Sequence, residues 1–448
     1  MAVSPETTPR TNSGSILSHQ AISAFQSRDF RRNQLARLLV ILGAEAQAVG
    51  VAWQVYQITH SALDLGATGL MLFLPGILFM ILAGHTADRY DRRHVVLVCY
   101  SLQCLCTSTL LYLACTGSRN IYAIYGVLFL IGTGRAFSGP ASSALLTHLV
   151  KKEHFVNAVS WGATIFQLAS VIGPAVGGVL FTLPLARWWP NSPTAHLEGA
   201  GIVFCFTLII LGIFISLIVS LSVRPGRQEQ KEMSGETLLA GFRYVWEKKL
   251  LLGVTTLDLF AVMLGGAVAL LPIFAQVVLH TGPRGLGILR ATPAIGAMVV
   301  SLRLIWRPMQ RRAGVRMLFC VGLFGAATIV FGLSRNIYLS LAALLVVGGA
   351  DMVSVVVRSS LIQLATPQQM RGRVSAVNSL FLGASNEFGE FESGLTAHWW
   401  GAVRAVVVGG IGSMIVTASW TTMFPALRDV DRLDADTLLA PEERLAKP

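Results

Sequence analysis

Long apolar blocks restrict the folds open to this chain more than any other feature. Twelve of them run through its 448 residues, at 34–58, 65–83, 95–116, 121–147, 156–183, 199–222, 250–279, 285–306, 315–333, 337–362, 374–397 and 400–423. A spanning helix needs about 20 mainly apolar residues in a row. In lipid every backbone N–H and C=O has to be satisfied within the segment, so blocks of this length are expected to be helices. Composition agrees, with 53% hydrophobic and only 13% charged residues, against roughly 25% charged in a soluble domain. The expected fold is an all-α membrane protein with twelve transmembrane helices. The first 33 residues are polar and show no charged-then-apolar leader, so the chain is expected to insert through its own first block.

A net charge of +12 invites a nucleic-acid reading, but the placement of the charges argues against it. Of 35 Lys and Arg, 26 fall in the segments that share a side with the N-terminus, and five fall opposite: Arg119, Arg187, Arg284, Arg335 and Arg404. The other four, Arg37, Arg135, Arg290 and Arg358, lie inside blocks. Such an excess marks the cytoplasmic side. Both termini are therefore expected in the cytoplasm of a multi-pass protein of the cell (inner) membrane, with the lipid bilayer and not nucleic acid as partner. The six cysteines all sit in apolar blocks. Cys104 and Cys106 lack the spacing of a zinc pair, so buried small hydrophobes are the expected role.

The pentapeptide SRNIY occurs twice, at 118–122 and 334–338, 216 residues apart. Other features share nearly that offset. Arg92-Arg93 recurs as Arg311-Arg312, VNAVS at 156–160 as VSAVN at 374–378, Ser142-Ser143 as Ser359-Ser360, and Pro75 of block 2 finds Pro293 in block 8. A six-helix unit is thus expected twice. With an even number of helices per unit the copies are parallel repeats, with a cavity between them near the midplane. The expected divisions are an N-terminal segment 1–33, a first bundle 34–222, a central cytoplasmic loop 223–249, a second bundle 250–423 and a tail 424–448.

Three motifs carry a resemblance. The loop after block 2 reads GHTADRYDRRH, and its Gly84, Asp88, Arg89, Arg92 and Arg93 match G-x-x-x-D-R-x-G-R-R, with Asp91 where that pattern usually has Gly. Block 5 contains ASVIGPAVGG, in which Gly173, Pro174, Gly177 and Gly178 match the antiporter motif G-x-x-x-G-P-x-x-G-G and Ala169 replaces its first Gly. Block 4 carries Arg135 within GTGRAFSGPASSALL. Together with DFRRNQLARL at 29–38 and YQITHSAL at 56–63, these resemble the major facilitator superfamily, and most closely its branch of enterobactin exporters and drug-efflux proteins, the transmembrane secretion effectors. The resemblance covers about residues 22 to 425. It implies two six-helix halves that rock about a central cavity lined by helices 1, 4, 7 and 10. It also implies that Asp88 latches one state by meeting the start of block 11, near Arg373 and Val374. The glycines and proline of block 5 also make sense unaided, because they allow close helix approach and a bend. Block 11 lacks a matching glycine run and has Glu387, Gly389, Glu390, Glu392 and Gly394 instead.

Ionisable residues at bilayer depth are functional candidates by default. At 1.5 Å per residue, Glu45 lies about 16 Å into block 1 and Arg135 about 21 Å into block 4, so the two could pair or face a substrate together. Asp258 and Asp351 place carboxylates in blocks 7 and 10, and the repeat aligns Asp351 with Arg135. Glu387 and Glu390, three apart, share a face with Gly394. Three glutamates in one span are costly to ionise together, so at least one is expected to hold a proton. Arg290 in block 8 is the expected counter-charge.

The function expected from these features is secondary active transport, as proton-coupled efflux of a small amphipathic molecule, siderophore or drug-like. The expected working unit is a monomer, with no cofactor or metal and the proton gradient as energy source. An uptake permease for a small metabolite is the alternative, and a receptor or intramembrane enzyme a distant one. No G-x-x-x-x-G-K-[ST] phosphate loop is present, which disfavours a primary pump. All nine histidines lie in tails, loops or helix ends, which leaves no midplane base or metal pair for an enzyme.

Overall fold

The computed structural model describes residues 27–150, 155–184, 198–222, 235–307, 309, 311–367 and 370–431. Most of segment 1–33, residues 223–234 of the central loop and the tail from 432 lie outside the described residues, as does the side chain of Asp88. Helices fill all twelve apolar blocks. In the first half they are α1 (Arg28–Thr59), α2 (Ala62–Leu78), α3 (Arg92–Cys115), α4 (Ile121–Leu149), α5 (Phe155–Leu180) and α6 (Ala200–Val219). In the second they are α7 (Lys249–Gly265), α8 (Gly282–Trp306), α9 (Ala313–Leu333), α10 (Ile337–Leu364), α11 (Arg371–Trp400) and α12 (Ala402–Met423).

Ten of these passages are long and apolar enough to cross a membrane, and α2 and α11 fall short of that standard. Each has a local cause. The helix of block 2 breaks at Phe79 and resumes as Met80–Arg89, so neither piece has the length of a span. α11 carries Arg371, Arg373 and three glutamates. Block 7 is also interrupted. α7 stops at Gly265-Gly266, and the chain continues through a 3₁₀ turn (Val268–Leu270), a short helical turn at Pro272 and a π turn (Phe274–Val278).

Both copies of SRNIY do the same local work. Asn120 Oδ1 accepts from Tyr122 N at 3.1 Å and Asn336 Oδ1 accepts from Tyr338 N at 2.8 Å. Each asparagine thereby satisfies a helix N-terminal donor. Asp91 does so for α3, accepting from Arg93 N at 2.9 Å. That cap accounts for a carboxylate where the resembled loop usually has glycine.

Equivalent packing in the two halves fixes the repeat. A Cβ on Gly178 of α5 would meet Pro283 O at 2.8 Å and Gly287 Cα at 2.9 Å, and one on Gly394 of α11 would meet Ala62 O at 2.7 Å and Gly66 Cα at 2.8 Å. Gly132 of α4 sits on Leu72 O as Gly348 of α10 sits on Pro293 O. These pairs make α4 and α10, and α5 and α11, equivalent at an offset of 216. They make α2 and α8 equivalent at 221, so Pro293 corresponds to Leu72. The expected pairing of Pro75 with Pro293 is therefore corrected, since the two prolines stand three residues out of register.

The apolar cores show how the halves meet. Toward the side that carries the ends of the described chain, each half has its own core. Val96, Leu145, Leu211 and Ile218 belong to one, and Leu251, Met317, Leu361 and Val377 to the other. Toward the opposite side one core is shared, in which Val49 and Trp53 of α1 pack with Leu270, Phe274, Leu289 and Phe331. The halves are joined on the side away from the termini, along α2 with α11 and α5 with α8.

A bulky residue at these crossings should part the halves on the joined side. Overpacking costs about 1–3 kcal/mol, and about 1.4 kcal/mol is a tenfold change in an equilibrium. Gly394→Leu is expected to raise labelling of a Phe331→Cys reporter from the side opposite the termini about tenfold or more, in a background freed of native cysteines. Unchanged labelling would show that the crossing does not hold this state.

Candidate functional site

The site grows from the two seams between the halves. In α5 the motif has two faces, each made of residues four apart. Gly173 and Gly177 lie on α1, where a Cβ would meet Glu45 Cβ at 2.6 Å and Ala46 O at 2.8 Å. Pro174 and Gly178 lie on α8, with Pro174 O only 2.6 Å from a Cβ at Gly287. The motif thus wedges one helix between its own half and the other half. Gln167 Nε2 extends the seam by donating to Ala294 O at 2.8 Å.

The helix equivalent to α5 keeps more of this pattern than the sequence suggests. At the 216 offset, Gly389 stands for Gly173, Ser393 for Gly177 and Gly394 for Gly178. A Cβ on Gly389 would stand 2.9 Å from Met263 O, and Ser393 Oγ donates to Gly266 O at 2.7 Å. The expected lack of a glycine run in α11 is corrected to a run with one decisive change, Glu390 in the place of Pro174. The seam makes room for it. A Cβ at Gly69 of α2 would stand 2.7 Å from Glu390 Oε2 and 3.1 Å from Glu387 Oε2. Gly69 itself is equivalent, at the 221 offset, to Arg290 of α8.

Charges therefore collect where the halves touch. Arg290 Nε lies 3.8 Å from Glu45 Oε2, an ion pair that joins α8 to α1. The Arg290 charge also acts on Glu390 and Glu387, Arg135 acts on Glu387, and Glu45 acts on Glu390. The ion pair of Arg290 goes to Glu45 and not to the glutamates of α11, for which it is the expected counter-charge. Glu45 pairs across the seam with Arg290 and not with Arg135 of its own half. Glu392 lines neither of the two cavities described next.

The larger cavity, about 410 Å³, lies inside the second half, and a smaller one of about 70 Å³ lies beside the first half against Gln47, Thr68 and Arg135. Glu390 lines both. Asp258 and Asp351 face the larger cavity with Arg358. Arg358 Nη1 is paired with Asp258 Oδ2, and the residues are only 2% and 5% exposed. The sequence places Arg358 within a block without assigning it a role; a guanidinium at that depth requires a carboxylate, and Asp258 is the one it finds. Among the described residues Asp351 has no ion pair, and no cluster of His, Cys, Asp and Glu could hold a metal ion.

The motif after α2 is helical where a loop is expected: Gly84 and Arg89 lie in the helix Met80–Arg89, and Arg92 and Arg93 open α3. Arg93 Nη2 donates to Val219 O at the end of α6, where the helix dipole favours a cation. Arg92 is buried, Arg89 is exposed, and Gly84 has open space around its Cα. The start of α11 is covered by the amphipathic helix Gly235–Glu247, where a Cβ on Gly241 would stand 2.9 Å from Arg373 O and Phe242 lies against Phe381 with ring centroids 5.5 Å apart.

Comparison with known proteins decides the family. A family model described as transmembrane secretion effector matches residues 19–447. The chain belongs to the transmembrane secretion effector family. This secretion effector is 28% identical over 389 residues to the enterobactin exporter EntS of Citrobacter koseri, covering 86% of each chain, and 27% identical over 391 residues to EntS of Escherichia coli O1:K1, again 86% of each. Among solved structures it resembles a bacterial homologue of the lysosomal transporter Spinster (TM-score 0.70, 13% identity, 90% of this chain and 99% of that one). A bacterial homologue of ferroportin gives a TM-score of 0.65 at 17% identity, over 88% and 99%. The fold is that of the major facilitator superfamily, and the secretion effector is a multi-pass membrane transporter, not an enzyme.

The buried ion pair yields a test. Removing one partner of such a pair costs about 3–5 kcal/mol, whereas an apolar pair of similar volume is often neutral. Arg358→Met alone and Asp258→Leu alone are expected to lower the melting temperature of the detergent-purified effector strongly. The double variant should recover most of the loss. Additive losses would show that the two charges are not a pair.

Proposed function

We propose that this secretion effector is a proton-coupled exporter of a small amphipathic molecule in the cell inner membrane. It works as a monomer, since one chain supplies both halves of the site. The basic side, which holds both termini, faces the cytoplasm by the excess of 26 Lys and Arg over five. On that assignment the conformation described is joined on the outside and parted toward the cytoplasm. Asp88 latches the opposite conformation through the start of α11, the part its motif implies.

One observation carries the coupling. Glu390 lies in the seam between halves, against Gly69 of α2, lines both cavities, and shares Arg290 with Glu45. Two glutamates and one arginine at the seam are best neutralised when a proton is bound, and further hydration of the glutamates favours its loss. Proton binding and opening of the α2–α11 seam are thereby linked, because a ligand shifts an equilibrium by its differential affinity for the two states. Glu387 adjoins the same seam and Glu45 completes it. The direction of transport rests on the relatives, which are named as exporters.

Reconstitution tests this reading. In liposomes with an imposed pH gradient, Glu390→Gln is expected to reduce gradient-driven flux at least about tenfold, the scale of 1.4 kcal/mol of lost coupling, while exchange of labelled for unlabelled substrate continues. Undiminished coupling in Glu390→Gln, Glu387→Gln and Glu45→Gln alike would reject proton coupling. Flux accelerated only toward the cytoplasm would reject export in favour of uptake.

A further inference from the structure

The larger cavity holds more information about its ligand than the coupling uses. All its lining residues come from the second half, and most are apolar, including Phe324, Phe331 and Leu344. Its volume of about 410 Å³ lies within the roughly 300–1,000 Å³ range of sites for drug-sized molecules. Asp351, Val355 and Arg358 occupy one face of α10, at positions i, i+4 and i+7, and all three line the space.

The charges there are unequal. Arg358 is already committed to Asp258, so its guanidinium is neutralised. Asp351 faces the same cavity and has no ion-pair partner among the described residues. Glu387 and Glu390 line the cavity toward the seam, and the arginines that act on them, Arg135 and Arg290, are not among its lining residues. An anionic ligand would thus bring a second negative charge beside Asp351 without a free cation to receive it. A cationic ligand would supply the missing charge, and the Phe324 and Phe331 rings would suit its aromatic part.

We propose that the second-half cavity binds an organic cation, an aryl or alkyl amine or onium compound, with its positive centre at Asp351 and its apolar body between α7, α9 and α10. This deepens the transport reading and rests on it for the cavity's being a substrate site. It separates this chain from a carrier selective for an anionic, catecholate-like molecule.

Two probes of the same shape and opposite charge make the test. Full-length protein in detergent, with no gradient, is equilibrated with ethidium, and its fluorescence anisotropy is followed as tetraphenylphosphonium or tetraphenylborate displaces it. Tetraphenylphosphonium is expected to displace ethidium at a concentration at least about tenfold lower than tetraphenylborate, a difference of about 1.4 kcal/mol. Asp351→Asn should remove that preference by weakening the phosphonium alone, Asp351→Glu should keep it, and Phe324→Ala should weaken both probes alike. Equal or stronger binding of the borate, or an Asn variant with unchanged phosphonium affinity, overturns the proposal. If Asp351→Asn fails to fold, the ratio of the two probes on the unaltered protein still decides. Because no gradient is present, loss of proton coupling leaves this result untouched. Gradient-driven export of an anion would defeat the cation reading alone.

Discussion

Backbone lying on backbone at two crossings is the constraint on which the arrangement of this protein depends. In lipid, helices gain little from hydrophobic exclusion and associate through close packing. At Gly178 with Gly287 and at Gly66 with Gly394, an added Cβ would stand within 2.6–3.1 Å of the facing helix. These contacts set the distance between the halves on the side away from the termini. They also make possible the shared core around Trp53, Phe274 and Phe331. The conserved geometry of the two crossings, more than any shared pentapeptide, is what identifies the two halves as copies.

Charge is arranged on top of that packing. Two of the four arginines at depth are held by carboxylates, Arg358 by Asp258 and Arg290 by Glu45. The first pair joins α7 to α10 inside one half and braces it. The second pair crosses between halves and has to be remade whenever they move. Thus similar ion pairs serve different purposes according to whether the elements they join move together. Asp351 stands apart because it faces space and not a partner.

Much of the fold was legible because the bilayer imposes it. Apolar runs of this length span lipid as helices. The motif in α5 was legible as a packing device, but its two faces were not, since that requires knowing that α1 and α8 flank it. The register of α2 against α8 was misread because proline is visible in a sequence whereas a backbone contact is not. Depth set Glu45 beside Arg135, and that α8 brings Arg290 to it could not be read from the sequence. Arg358 was visible as a charge out of place. What could not be seen was that Asp258, 100 residues earlier, lies against it. Gly69 and Gly389 gave no signal, because their value lies in what their neighbours need.

The exchange of Pro174 for Glu390 at equivalent positions has a consequence for how the protein moves. A carrier built from identical copies would separate both seams with equal ease, like a hinge with matched leaves. Here, parting α8 from the first half breaks the Arg290–Glu45 ion pair, while parting α2 from α11 removes the close packing of Gly69 on Glu387 and Glu390. The two seams are therefore unlike in what their opening releases, an ion pair of opposite charges at one and a cramped pair of acidic side chains at the other.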